Sequence, residues 1–237
     1  MTTKEEDHVK HSGAGLPFVT VKLAQSLDGR IATASGDSQW ISSPLSLKLA
    51  HKLRSNHDAI MVGIGTALAD DPRLTVRLVK GRDPLRIIVD SRLRLPADAR
   101  MLTEGGGQHT LLATTEMADR KRASELERLG AEIFFAPTAA NKSQVDLRAL
   151  LQEVGRRGIK SVLVEGGSGI VTSLFAARLI DRLVVIIAPK IIGKGTEAIA
   201  DLSIVRLRDA ITFSEFKTRR LGPDIVFDGS INWNDER

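Results

Sequence analysis

The chain has 237 residues, 42% of them hydrophobic, and a formal net charge of +5, which suits one large α/β domain or two small ones with a real core. It has no cysteine, so disulfides, thiolate metal sites and cysteine nucleophiles are excluded. No apolar run reaches the ~20 residues of a membrane span, and scattered aromatics without a dense Lys/Arg run argue against a nucleic-acid surface.

Residues 1–15 are charged and then small, ending in Ser12-Gly-Ala-Gly15, and they read as a flexible tail. The segment lacks the apolar core of a secretory signal, so a cytosolic protein is expected. From Pro17 onward short β runs alternate with amphipathic helices. Phe18–Leu23 is a β-rich alternating run. Ser43-Pro44 supplies an N-cap and an N1 proline for a helix whose face carries Leu45, Leu49, Ala50 and Leu53. Ala59–Val62, Leu85–Asp90 and His109–Thr114 are short apolar runs of the kind buried on both faces of a parallel sheet. Met117–Leu129 reads as a helix ended by Gly130, and Glu132–Phe135 as a strand. Asp146–Arg157 is a helix capped by Asp146 and stopped by Gly158, followed by strand Ser161–Val164, helix Ile170–Ala177 and strand Leu183–Ala188. Thr212–Lys217 and Asp224–Phe227 form a final antiparallel pair. Gly105–Gly107 reads as a surface loop. The alternation predicts a single domain over 16–232, with a mostly parallel central sheet, helices on both faces and an antiparallel C-terminal edge.

Ligands of such sheets sit beyond the carboxyl ends of the strands, and five segments there carry chemistry. Val62-Gly-Ile-Gly-Thr66 follows a strand and permits close approach of a diphosphate, although a GxG alone more often marks a tight strand-to-helix turn; Asp70-Asp-Pro72 follows it. Leu163-Val-Glu-Gly-Gly-Ser-Gly169 runs from strand into a glycine turn, with Glu165 at its rim. Lys22 interrupts an apolar strand and needs a partner or a cavity. Ser35-Gly-Asp-Ser-Gln-Trp40 is a polar loop, and Ser91-Arg92 ends a strand with groups suited to phosphate. His51 and His57 lack further ligands at metal spacing, so no metal is expected. The positive surplus suits a small phosphorylated anion.

In order, Lys22…Ser26-Leu-Asp-Gly-Arg30, Asp37-Ser-Gln-Trp40, Leu53-Arg54, Gly65-Thr66…Asp70-Asp-Pro-Arg-Leu-Thr-Val-Arg77, Arg86-Ile-Ile-Val-Asp-Ser91, Val164-Glu-Gly-Gly167, Ala188-Pro-Lys190 and Gly222-Pro-Asp224 form one pattern. It resembles the reductase domain of the riboflavin-biosynthesis deaminase/reductase and the stand-alone pyrimidine reductases of archaea and fungi. The resemblance implies a dihydrofolate-reductase-like fold, NADPH as cofactor, a homodimer, and reduction of a ribosylaminopyrimidine 5′-phosphate to the ribitylamino compound. It implies that Ala24, Trp40, Thr66, Asp70, Ser91 and the loop 167–173, including Gly167, Ser168 and Gly169, contact NADPH, with Arg92 placed by its own chemistry beside Ser91. Ser38, Arg54, Leu74, Arg77 and Glu165 would contact substrate. Reduction at the sugar C1′ needs an opened furanose and a proton donor, for which Lys22, Asp70 and Glu165 are the candidates. The zinc motifs of the deaminase half are absent. A pterin or dihydrofolate-type reductase on the same fold is the alternative reading, and a non-catalytic nucleotide-binding module a third; Arg54 and Arg77 favour a phosphorylated ligand.

Overall fold

In the computed structural model, residues 15–104, 107–139 and 143–233 are described. The expected tail therefore lies outside the described residues except for Gly15, as do Gly105 and Gly106 of the glycine run; Gly107 opens a single 3₁₀ turn.

The chain runs β1 (Phe18–Ser26), β2 (Arg30–Thr33), α1 (Pro44–Asn56), β3 (Ala59–Gly63), α2 (Ile64–Asp70), β4 (Leu85–Val89), α3 (Arg100–Thr103), β5 (Thr110–Thr114), α4 (Arg120–Arg128), β6 (Glu132–Phe135), α5 (Leu147–Arg156), β7 (Ser161–Glu165), α6 (Ser168–Ala176), β8 (Arg182–Ala188), β9 (Gly195–Glu197), β10 (Thr212–Leu221) and β11 (Asp224–Asn232). Nine strands form one sheet in the order β10-β11-β8-β1-β7-β3-β4-β5-β6. β8 through β6 are parallel, and β11 joins β8 antiparallel, giving the expected edge. The two-stranded β2–β9 ribbon, apart from the sheet, was not expected: its strands are too short to show a periodicity.

The apolar runs of β3 and β7 sit mid-sheet and are fully buried except at Gly63. One face packs Val21, Met61, Val164 and Leu174 into the largest core. The opposite face carries Leu163, Val184 and Ile186 against Leu53 of α1, and a separate cluster beneath α2, α3 and α4. Burying a Leu or Ile from water contributes about 1.5–3 kcal/mol, so these layers supply the main stabilising term. No helix of the described residues is long and apolar enough to cross a membrane.

Three details of the sequence reading change. Ser43 holds the N-cap position of α1, but its hydroxyl caps nothing. Asp224 of β11 instead anchors the start of α1 from across the chain, accepting from the Ser43 N–H at 2.8 Å and the Ser46 hydroxyl at 2.6 Å. In consequence Ser46 and His51 share the buried face with Ala50 and Leu53, while Leu45 is exposed. Second, α4 begins at Arg120 rather than Met117, because the Asp119 carboxylate accepts from the Lys121 N–H and fixes the start there. Third, α6 begins at Ser168, two residues before the expected Ile170, because the turn after β7 is shorter than the glycines suggest.

Candidate active site

The parallel strands deliver Glu165, Gly63 and Val89 to a common carboxyl edge. β1 pairs with β7 so that Lys22 lies directly opposite Glu165. Both belong to the sheet face that packs on α1, where His51 and Arg54 stand three residues apart and so face the same way.

The lysine read as needing a partner finds one: Lys22 Nζ lies 3.9 Å from Glu165 Oε2. Arg54 grips the same carboxylate with a fork, Nε to Oε1 at 2.8 Å and Nη2 to Oε2 at 3.0 Å. Its Nη1 donates to the Thr75 carbonyl at 3.2 Å. The His51 Nδ1 accepts from the Arg77 backbone N–H at 2.9 Å. The Arg77 guanidinium is exposed and donates to the Thr75 hydroxyl at 2.7 Å. Lys22 and Arg54 thus pair with a single buried carboxylate, and Arg77 sits on the adjoining segment whose backbone Arg54 and His51 hold.

This geometry separates the expected roles. Burial pushes the Glu165 carboxyl up, but the Arg54 and Lys22 charges and the Arg54 fork outweigh it and hold the group at about 2. These charges favour Glu165 as a carboxylate over Glu165 as a proton donor. The sequence also set Arg54 beside Arg77 as free phosphate forks; Arg54 instead engages Glu165 with its fork, and Arg77 is the arginine left exposed. His51 is held neutral: burial first, then the Arg54 and Arg77 charges, lower it to about 4. Asp70 ends α2 and is exposed overall, yet partial desolvation of its carboxyl raises it above the usual aspartate range.

The two glycine turns meet. Thr66, expected to face a diphosphate, accepts the Gly167 N–H on its hydroxyl at 2.8 Å and so joins the turn after β3 to the turn after β7. Helix α6 starts at this junction with Gly167 as N-cap, no capping side chain and no acid in its first turn, so its first N–H groups remain for an anion. A side chain added at Gly65 or Gly169 would meet nothing within 4 Å, so open space lies beside the first turns of α2 and α6. Ser91 and Arg92 follow β4; the Ser91 hydroxyl accepts the Val145 N–H at 3.3 Å and Arg92 is exposed. Ala24 lies on β1, two residues beyond Lys22, partly covered by the α1 layer. Ser38 is half-buried, and Trp40 is 66% exposed, its carbonyl accepting from Lys190 Nζ at 2.6 Å. Leu74 is 2% exposed, within the core beneath α2, and adopts a left-handed backbone (φ 55°).

Sequence reasoning missed His51, Thr75 and Asp83. The signal for His51 was its spacing of three residues before Arg54 on one helix. Nothing in the sequence flags Thr75, which accepts from Arg54 on its carbonyl and from Arg77 on its hydroxyl, or Asp83, which accepts from the Val76 N–H at 2.6 Å.

The site has a pH signature. Glu165 lies below its ordinary 4.5, at about 2, so its stabilisation is complete above about 4.5 and is lost as pH falls toward 2. His51 lies below its ordinary 6.5, at about 4, so between these values the unfolded chain takes up a proton that the folded chain refuses. Stability is therefore expected to decline in two stages on acidification. Urea midpoints measured against pH for the native chain and His51→Asn check this: the variant should lose the decline between 6.5 and 4 and keep the lower one.

The model of the family described as RibD C-terminal domain matches residues 17–227. The chain is 35% identical over 222 residues to the riboflavin biosynthesis protein RibD of Aquifex aeolicus, covering 93% of this chain and 60% of that protein. It spans only about three fifths of that relative's length. It is 39% identical over 220 residues to the 2,5-diamino-6-ribosylamino-4(3H)-pyrimidinone 5′-phosphate reductase of Methanothermobacter thermautotrophicus, covering 91% of this chain and 98% of that protein. Among solved structures, Acinetobacter baumannii RibD superposes with a TM-score of 0.78 at 28% identity, over 93% of this chain and 59% of that one. Dihydrofolate reductase of Enterococcus faecalis shares the fold alone, with a TM-score of 0.50 at 13% identity, over 91% and 97% of the two chains.

Proposed function

As the chain belongs to the RibD C-terminal domain family, we propose that it reduces the ribosyl group of a ribosylaminopyrimidine 5′-phosphate to the ribitylamino form, with NADPH as hydride source, in riboflavin biosynthesis. The observation that carries this reading is the pairing of Lys22 and Arg54 with one buried carboxylate, with the exposed Arg77 on the segment held by His51 and Arg54, near an uncapped helix N-terminus. With His51 neutral the cluster holds a surplus of positive charge, and a phosphorylated sugar supplies the missing anion. A folate has no phosphate to place there, which ranks the pterin-type reading second.

The cofactor fits the residues present: Gly65, Gly167, Ser168 and Gly169 would receive the diphosphate, with Ser91 and Arg92 at the ribose phosphate and Ala24, Trp40, Thr66 and Asp70 along its length. When bound, the reduced nicotinamide supplies a hydride to C1′. The chain does the rest. Arg77 holds the 5′-phosphate and Ser38 borders the substrate, while Leu74, its side chain in the core, would meet it through its left-handed backbone. Glu165 stays ionised and orients Lys22, whose ammonium would give a proton to the ring oxygen as the furanose opens. Arg54 keeps Glu165 ionised and in register.

The test is NADPH oxidation with the deaminated and non-deaminated ribosylaminopyrimidine phosphates and with dihydrofolate, side by side. Turnover of either pyrimidine phosphate and none of dihydrofolate is expected; the reverse would transfer the protein to the pterin reading.

For cofactor choice, Arg92→Ala should weaken NADPH binding about tenfold to a hundredfold while leaving NADH unchanged, the weight of one charge-assisted contact. Titration of both cofactors against native and variant chains checks it, and an unaltered NADPH/NADH ratio would move the phosphate elsewhere.

We also propose a cytosolic two-fold homodimer. Val185, Ile187, Ile225, Phe227 and Phe216 lie on one sheet face by register, with Ile225 at 48% and Phe216 at 62% exposure. A second copy laid on this face would cover it isologously. Sedimentation should give a dimer at micromolar concentration, and Phe216→Lys a monomer; a native monomer would contradict the assignment.

A further inference from the structure

The segment that presents Arg77 has no regular structure of its own. It follows the left-handed Leu74 and pairs with no strand. Three side chains hold its backbone instead. Arg54 donates to the Thr75 carbonyl at 3.2 Å, Asp83 accepts from the Val76 N–H at 2.6 Å, and His51 accepts from the Arg77 N–H at 2.9 Å. Two of these holders, His51 and Arg54, project from the same face of α1, so one rigid helix fixes both the Glu165 carboxylate and the backbone that carries Arg77.

We infer that His51 is a positioning residue for the substrate phosphate: its ring nitrogen fixes the Arg77 backbone and thereby aims the Arg77 guanidinium. The inference rests on the reading of Arg77 as the phosphate ligand. Only an unprotonated Nδ1 accepts an N–H, so the ring sits as the Nε2–H tautomer. The charged groups about it come from every neighbouring element: Lys22 on β1, Arg54 on α1, Arg77 on the segment itself and Glu165 on β7. Three of the four are cations, and they oppose a proton on the ring. The surroundings that make the pocket attractive to phosphate also keep the acceptor available.

A positioning role differs from a packing role in its kinetics. His51→Leu removes the acceptor while retaining bulk, and should raise KM for the phosphorylated pyrimidine about tenfold, the weight of one oriented charge-assisted contact. Saturating kcat and KM for NADPH should stay near native. Asparagine places an oxygen close to the Nδ1 position, so His51→Asn should recover most of the lost affinity. The double variant His51→Leu/Arg77→Ala should be no worse than Arg77→Ala alone, because the histidine acts only through the arginine. Should His51→Leu not fold, His51→Ala removes the same acceptor without added bulk. If Arg77→Ala raises KM and the folded His51 deletions do not, the phosphate reading stands and this inference falls. If Arg77→Ala is itself native, the phosphate reading fails and takes the inference with it.

Discussion

Arg54→Ala is expected to cost about 3 kcal/mol or more of folding stability and to reduce kcat/KM by at least about a hundredfold. The side chains of Arg54 and Glu165 are 13% and 11% exposed, and their bond is a two-point fork. Among the described residues, removing Arg54 leaves a buried carboxylate with Lys22, 3.9 Å away, as its remaining ion-pair partner. The Thr75 carbonyl loses its donor at the same time. Arg54→Lys should restore part of the stability, because the charge returns, and little of the activity, because an ammonium cannot reproduce the fork. Replacing both partners, as in Arg54→Met/Glu165→Leu, should recover stability beyond Arg54→Ala while staying inactive, since a buried ion pair is expensive to break and cheap to replace as a whole. Urea denaturation with steady-state kinetics on the same four proteins checks each point, and equal stability of Arg54→Ala and the native chain would refute the buried-pair assignment.

Arg77→Ala is expected to behave in the opposite way. Arg77 is exposed, and its guanidinium donates to the nearby Thr75 hydroxyl, so its removal should leave the urea midpoint almost unchanged. Its effect should fall on KM for the phosphorylated pyrimidine, with a rise of about tenfold to a hundredfold for a lost charge-assisted contact. NADPH binding should not move, and kcat should fall modestly because phosphate binding energy also positions the reacting carbon. Two arginines of one cluster would thus separate into a structural ionic anchor and a ligand contact, and similar profiles in both variants would erase that distinction.

The sequence made the parallel strands legible because β3, β4, β5 and β7 are short apolar runs, and burial on both faces leaves that mark. It also showed that Lys22 needed a partner. The partner itself was hidden, because the pairing of Lys22 with Glu165 depends on β1 and β7 being neighbours across more than a hundred residues. The same distance concealed Asp224, whose carboxylate anchors the start of α1 through the Ser43 N–H and the Ser46 hydroxyl. Spacing placed Arg54 and Arg77 near one mouth, but it could not show that Glu165 would already occupy the Arg54 fork. Nor could it distinguish Thr66 facing a ligand from Thr66 joining two turns, since both roles use one hydroxyl at a strand end. The β2–β9 ribbon left no pattern at all, with four residues on one side and three on the other.

The central claim is that this cluster recognises a phosphorylated ribosylaminopyrimidine for reduction. It is tested most directly by measuring NADPH-dependent kcat/KM for the phosphorylated substrate and its dephosphorylated counterpart, each with the native chain and with Arg77→Ala. The native chain should prefer the phosphorylated compound strongly, and the variant should lose most of that preference while treating the dephosphorylated compound as the native chain does. A native preference that survives Arg77→Ala intact, or no preference in the native chain, would contradict it.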